Sequence, residues 1–339
     1  MSQTPSPQPA KPQKSFLWLK IIGAGLVGFI GFGFFLDSQE GQTYDKALKA
    51  YQSADCETAS KEFAKVLEGK SQSDTSDRVI SSRAKKAECD EYQKAVVQQK
   101  TGKPAPAFTI YANFVTTYPK SPLIKEVAKS TPALLTKADF KTLAQPTSCK
   151  QLKGITDSKI LPEPEKNLPL LYQNCGQLFE SKKQYSQAVV IYEDFLTKFP
   201  KHPLLPSIKA SFAKSLVAEA KQTGAGNIPR PQSAGFSGSG STVVEIRNES
   251  PEKMRIVFSG PQPRFEELEG CTNCQKFVNV GPRSCPNKGP VGRYTLTPGN
   301  YEVVVKSIGQ GRVRPFTGQW SLSSGTEYKN CFFIVQRPG

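Results

Sequence analysis

The sequence predicts a multidomain α plus β chain: a single N-terminal transmembrane helix, an array of α-helical hairpins and a C-terminal antiparallel β-sandwich. Three observations predict it. An apolar run from Phe16 to Leu36 is long enough to cross a bilayer. A stretch beginning at Ile110 recurs from Ile191 with the same helical periodicity. From Thr242 onward the apolar period changes to two.

The apolar run, at 1.5 Å per helical residue, spans roughly 30 Å, the thickness of a bilayer's hydrocarbon core. Lys11 and Lys14 precede it, while Asp37, Glu40 and Asp45 follow it before the first basic residue, Lys46. The positive-inside rule therefore orients 16–36 as a signal-anchor. Residues 1–15, rich in Pro, Gln and Ser, read as a disordered cytoplasmic tail. The bulk of the chain is expected to be extracytoplasmic, in a periplasm or an equivalent lumen. Lys20 lies one turn inside the run, where its stem can snorkel to the headgroups. A cleaved signal peptide is the rival reading. It lacks an A-x-A site, and the run exceeds the usual length of about 7–15 residues.

All eight cysteines follow the run, which suits disulfides in an oxidising compartment. The net charge of +16 is spread along the chain without a dense basic run. A nucleic-acid partner is therefore not expected. Contact with anionic lipid or a cell-wall polymer is compatible with this charge. Between residues 37 and 222 the only arginines are Arg78 and Arg83, whereas nine lie between Arg230 and Arg337. The Gly/Pro/Ser segment 223–241 separates these compositions and reads as a flexible linker. It divides a helical domain, 42–222, from a cysteine-containing β domain, 242–339.

Residues 110–124 (IYANFVTTYPKSPLI) and 191–205 (IYEDFLTKFPKHPLL) are identical at eight of 15 positions. Ile110, Tyr111, Phe114, Val115 and Tyr118 share one helical face, as do Ile191, Tyr192, Phe195, Leu196 and Phe199. Pro119 and Pro200 stop these helices. Further amphipathic helices are predicted over 123–137 and 204–221. A single hairpin cannot bury its apolar face, but stacked hairpins share a core and leave a concave face free.

Ala107, Tyr111, Phe114 and Pro119 carry a spacing that recurs in Ala188, Tyr192, Phe195 and Pro200. This spacing resembles the second helix of the tetratricopeptide repeat. Ala59, Phe63 and Val66 fit a third unit without the proline, and Gly176 and Phe179 match first-helix positions. Phe114 and Phe195 depart from the alanine of the general consensus. With the Y/F-P-K-x-P that follows, the pattern resembles the variant in bacterial envelope proteins. The resemblance implies a TPR-like core built on the residues named and a partner-binding role in the cell envelope.

The order Cys…Cys…aromatic-Pro occurs twice. It predicts Cys56–Cys89 and Cys149–Cys175 as local disulfides, with buried free thiols as the alternative.

In the C-terminal part, TVVEIRN, KMRIVFSG, GRYTLT, NYEVVVKS, GQWSLS and NCFFIVQ read as strands. YTLTPGNYEVVV resembles a hairpin of carboxypeptidase-regulatory and PEGA-type sandwich modules, in which a Pro-Gly turn joins two strands. Cys271, Cys274, Cys285 and Cys331 leave three readings open: two disulfides of unknown connectivity, four zinc ligands, or a redox-active C-x-x-C at Cys271 and Cys274. Irregular Gly/Pro-rich flanks favour disulfides.

No catalytic residue and no cofactor are expected. The single histidine, His202, occupies the turn position of Ser121 in the other repeat. Phosphate-loop, dinucleotide and H-E-x-x-H motifs do not occur. Asn248-Glu249-Ser250 is a formal glycosylation sequon followed by Pro251. The function expected is a membrane-anchored protein–protein interaction scaffold, not an enzyme. It would bind envelope proteins through its repeats. A thiol-disulfide oxidoreductase or a zinc-binding module is the alternative.

Overall fold

The computed structural model describes residues 39–238, 240–308 and 313–336. The expected tail and signal-anchor lie outside the described residues. Among the described residues no helix is long and apolar enough to cross a membrane.

Helix α1 covers 39–52. It is followed by α2 (Cys56–Leu67), α3 (Asp77–Lys100), α4 (Pro104–Thr117) and α5 (Ile124–Leu135). Short helices α6 (Phe140–Leu143), α7 (Pro146–Lys150) and α8 (Leu152–Ser158) lead to α9 (Pro164–Ser181), α10 (Tyr185–Lys198) and α11 (Leu205–Gln222). Local chemistry sets several ends. The Asp55 carboxylate accepts the Thr58 N–H at 3.1 Å and opens α2. Asp139 opens α6 in the same way through Thr142 N–H at 2.8 Å. Pro104, at the start of α4, needs no hydrogen-bond partner for its nitrogen.

The repeat extends beyond the stretch that the sequence comparison detects. Helix α3 ends at Lys100 and α9 at Ser181; α4 begins at Pro104 and α10 at Tyr185; α5 begins at Ile124 and α11 at Leu205. The displacement is the same at all three boundaries. The unit is therefore three helices, and the buried aromatic faces of α4 and α10 fill equivalent places.

The β unit contains β1 (Gly226–Asn227), β2 (Gln232–Phe236), β3 (Thr242–Asn248), β4 (Met254–Ser259), β5 (Arg264–Leu268), β6 (Phe277–Val278), β7 (Val291–Leu296), β8 (Gly299–Ser307), β9 (Phe316–Leu322), β10 (Thr326–Phe332) and β11 (Val335–Gln336). One sheet has the order β1-β9-β8-β4-β5, a second β2-β10-β3-β7, and β11-β6 forms a small ribbon. Inward residues alternate along β3 and β9. Val244, Ile246, Ile256, Phe258, Val303 and Trp320 make up much of the shared core.

Three sequence expectations change here. The sheets are mixed rather than antiparallel: β10 runs parallel to β3, β1 to β9 and β11 to β6. A period of two reports which face is buried, not which direction a neighbour runs. The Pro298-Gly299 turn does not close a hairpin. It passes from β7, paired with β3, to β8, paired with β4 and β9 in the other sheet. Residues 223–241, expected to be a linker, supply β1 and β2, and Ile228 enters the β core. The Trp320 indole N–H donates to the Pro229 carbonyl at 3.1 Å, which ties this segment to β9.

The helical and β units share a core. Val257 and Val304, on the outer face of the larger sheet, are buried with the helical residues. Phe212 on α11 meets Phe265 on β5 edge to face, with centroids 5.2 Å apart. Around this contact, Arg255 pairs with Glu193 of α10 at 2.8 Å and Glu267 at 2.7 Å.

Candidate functional site

Two regions bring together residues that the sequence singles out. The first is on the helical array. Ala59, Phe63, Ala107, Tyr111, Phe114, Ala188, Tyr192 and Phe195 are fully buried, and Val66 is nearly so. Pro119 and Pro200 follow their helices and are exposed. The buried side chains hold the array together, so a partner must be met by others. Gly176 serves the same packing: a Cβ there would lie 2.2 Å from the Tyr192 ring. Burial pushes the Tyr111 phenol up to about 12 and Tyr192 also well above its ordinary range, with Glu180 adding to the effect.

Between α7–α8 and α10 lies an open groove of about 720 Å³, with Leu152, Phe179, Val190 and Ile191 in its wall. Val190 is 63% exposed at the mouth of the groove. Lys150, Lys153 and Lys198 and the acids Asp157, Glu193 and Asp194 edge the groove. Lys198 donates to Asp194 at 2.8 Å and to the Tyr172 hydroxyl at 3.0 Å, and Tyr172 donates to Asp194. The groove offers an apolar strip with fixed charges of both signs, chemistry suited to a protein segment.

The Cys149–Cys175 disulfide joins α7 to α9 beneath this groove, and Cys56–Cys89 joins α2 to α3. Their Cα separations are 5.4 and 5.0 Å. The pairs do not occupy equivalent repeat positions, although their order in the chain repeats.

The second region surrounds Glu249, whose side chain is fully inaccessible. Sequence reasoning missed it as a site residue, because one acid after a period-two strand forms no motif. It follows β3, and its backbone N–H donates to the Phe332 carbonyl at 2.7 Å. Its Oε1 accepts the N–H groups of Lys288 at 2.7 Å and Gly289 at 3.1 Å. Gly289 must be glycine for this approach, since a Cβ would fall 1.8 Å from the Asn248 carbonyl oxygen. Cys271–Cys274 and Cys285–Cys331 are both disulfides and flank the carboxylate. Oε2 lies 3.3 Å from Cys274 Sγ, and Oε1 lies 3.9 Å from Cys285 Sγ.

One donor atom each from Glu249, Cys271 and Cys274 lies within 4.8 Å of the others, as do those of Glu249, Cys285 and Cys331. The four-cysteine zinc reading does not fit this arrangement. Each sulfur is spent in a disulfide and carries no thiolate charge to hold the ion. The sequon is structural as well. Asn248 is fully buried, and its Nδ2 donates to the carbonyls of Glu252 and Glu269, both at 2.8 Å.

His202 takes a turn role: its Nδ1 accepts the Leu204 N–H at 3.2 Å, and its ring stands against Phe195 and Phe199.

The tetratricopeptide-repeat family model matches residues 91–121 and 176–202. No curated protein matches the chain. The two matched stretches fall on the α3–α4 and α9–α10 hairpins, which carry the aromatic and proline spacing. The helical half is therefore a TPR-like array, a fold that generally serves protein–protein interaction.

Proposed function

We propose that this chain is a membrane-tethered, extracytoplasmic scaffold whose TPR-like array binds a protein of the cell envelope. The observation that carries this reading is the groove beside the second repeat. Its exposed Val190 sits on the same helix as the buried Tyr192 and Phe195. The repeat core is thus closed, and an apolar strip lies open beside it for a partner. Residues 16–36 supply the tether, and the four disulfides suit an oxidising compartment. The β unit, with its spread positive charge, provides a second contact, to anionic lipid or a wall polymer. The array itself serves binding.

The test is photo-crosslinking in intact cells with the full chain, since α11 shares its core with the β unit and a fragment would expose it. A reactive residue placed at Val190 should capture one discrete envelope protein. Capture only of lipid, or of no protein, would remove the reading.

A further inference from the structure

The Glu249 carboxylate poses a satisfaction problem that the scaffold role does not explain. Oε1 has two backbone N–H partners. Oε2 faces Cys274 Sγ at 3.3 Å, but that sulfur belongs to a disulfide and has no hydrogen to give. Among the described residues no N–H or O–H donates to Oε2. The Arg247 guanidinium comes no closer to the carboxylate than 3.9 Å, at Oε1. A fully inaccessible carboxylate oxygen without a donor is costly. Reduction of Cys271–Cys274 would supply the missing donor, because a Cys274 S–H stands within reach of Oε2. The surroundings therefore favour the reduced pair more than an ordinary buried disulfide site would.

Two further features single out this disulfide. Its cysteines are three residues apart, whereas the others close 26, 33 and 46. The chain-entropy stabilisation of a disulfide grows with the loop it closes, so the fold depends least on this one. Access is also one-sided. Cys271 is buried at 3% exposure, while Cys274 is half-buried and its neighbours Thr272, Asn273 and Gln275 are exposed.

We propose that Cys271–Cys274 is a thiol–disulfide exchange site for a dithiol substrate, with Glu249 accepting the hydrogen bond of the Cys274 thiol that forms. A substrate thiolate attacks Sγ of Cys274, the less buried of the two cysteines. The bond to Cys271 breaks, and Cys271 leaves with the electron pair and takes up the proton lost by the attacking thiol. The second substrate thiolate then attacks its own sulfur in the mixed disulfide. Cys274 is released, gains the second proton and donates to Oε2. In one turnover the substrate loses two electrons and two protons and becomes a disulfide, and Cys271 and Cys274 become thiols. The Cys285–Cys331 disulfide stays closed and holds β10 against the loop that carries Lys288 and Gly289.

The test uses the full chain equilibrated in graded mixtures of reduced and oxidised dithiothreitol, quenched with an alkylating agent and mapped by peptide mass spectrometry. Cys271 and Cys274 should be alkylated together, at a reduced-to-oxidised ratio at least tenfold lower than any other pair requires. That factor corresponds to about 30 mV for a two-electron couple. Glu249→Gln offers a weaker, neutral acceptor and should raise the ratio needed for this pair alone by severalfold. The control Glu252→Gln should leave it unchanged. Opening of Cys271–Cys274 together with or after the other disulfides in the unsubstituted chain overturns the proposal, even if Glu249→Gln does not fold. A folded Glu249→Gln protein with an unmoved midpoint overturns the part assigned to Glu249.

Discussion

Ser121 and His202 make the same bond at equivalent places in the two repeats. Ser121 Oγ accepts the Leu123 N–H at 3.3 Å, and His202 Nδ1 accepts the Leu204 N–H at 3.2 Å. Each fixes the turn between the second and third helices of its repeat. Two different side chains thus meet one backbone requirement. His202→Ser should cost less than about 0.5 kcal/mol beyond lost ring contacts, and His202→Ala about 0.5–1.5 kcal/mol. Urea denaturation of the two variants checks the order. Equal losses would show that the ring contacts, not the bond, matter at this turn.

Gly176 lets Tyr192 lie directly on α9. Its equivalent in the first repeat is Ala95, which is also fully buried. The two hairpins differ at this point by one methyl group. Gly176→Ala forces Tyr192 to shift and should destabilise by about 1–3 kcal/mol, despite the better helix propensity of alanine. An unchanged or raised melting temperature would contradict this packing.

Phe212 has the smaller, equally buried Thr131 as its repeat equivalent, and here its ring serves the joint with Phe265. Phe212→Ala should cost about 3–5 kcal/mol and separate unfolding of the helical and β units into two calorimetric transitions. Arg255→Ala removes the ion pairs to Glu193 and Glu267 and should act in the same direction. A single sharp transition in both variants would show that the joint does not couple the units.

How much of this was legible in advance differs by level. The helices on either side of Pro119 and Pro200 were readable because those prolines and the 3.6 period mark them directly, whereas α1, α3 and the short α6–α8 carry no such mark and were not placed. The positions of β3, β4, β7, β8 and β9 were readable from period two, whereas the charged β5, the short β6 and the Gly/Pro-rich strands of 226–236 were not, and the expected strand over 330–336 is in fact the end of β10, a break and β11. Strand direction was not readable, since parallel β3–β10 pairing joins segments far apart in the chain without a turn signal. The outward Val257 and Val304 looked like part of one continuous apolar strand, and only α11 explains their burial. Glu249 was invisible because its significance depends on Cys274, Lys288 and Gly289 reaching it from separate parts of the chain.

Acid should loosen the β unit through Glu252. Its carboxyl is held below the ordinary value of 4.5 by hydrogen bonds from Lys276 and Ser307. A depressed carboxyl contributes stability above its unfolded value and loses it as pH falls through the lower folded value. The decline should therefore begin near the unfolded value and continue below it. Urea midpoints measured between about pH 6 and 3 should fall on the acid side, and Glu252→Gln should flatten that limb. An identical acid limb in the variant would assign the loss to other groups, such as Glu62, which Lys46 and Lys65 hold down in the same way.

Site-specific crosslinking in intact cells tests the scaffold reading most directly. A photoreactive residue at Val190, in the groove, is compared with one at Ile80, which is 50% exposed on α3 away from it. The account predicts one discrete protein adduct from Val190, lost when Lys150 and Lys153 are both changed to Glu, and none from Ile80. No protein adduct at Val190, or the same adducts from both positions, would contradict it.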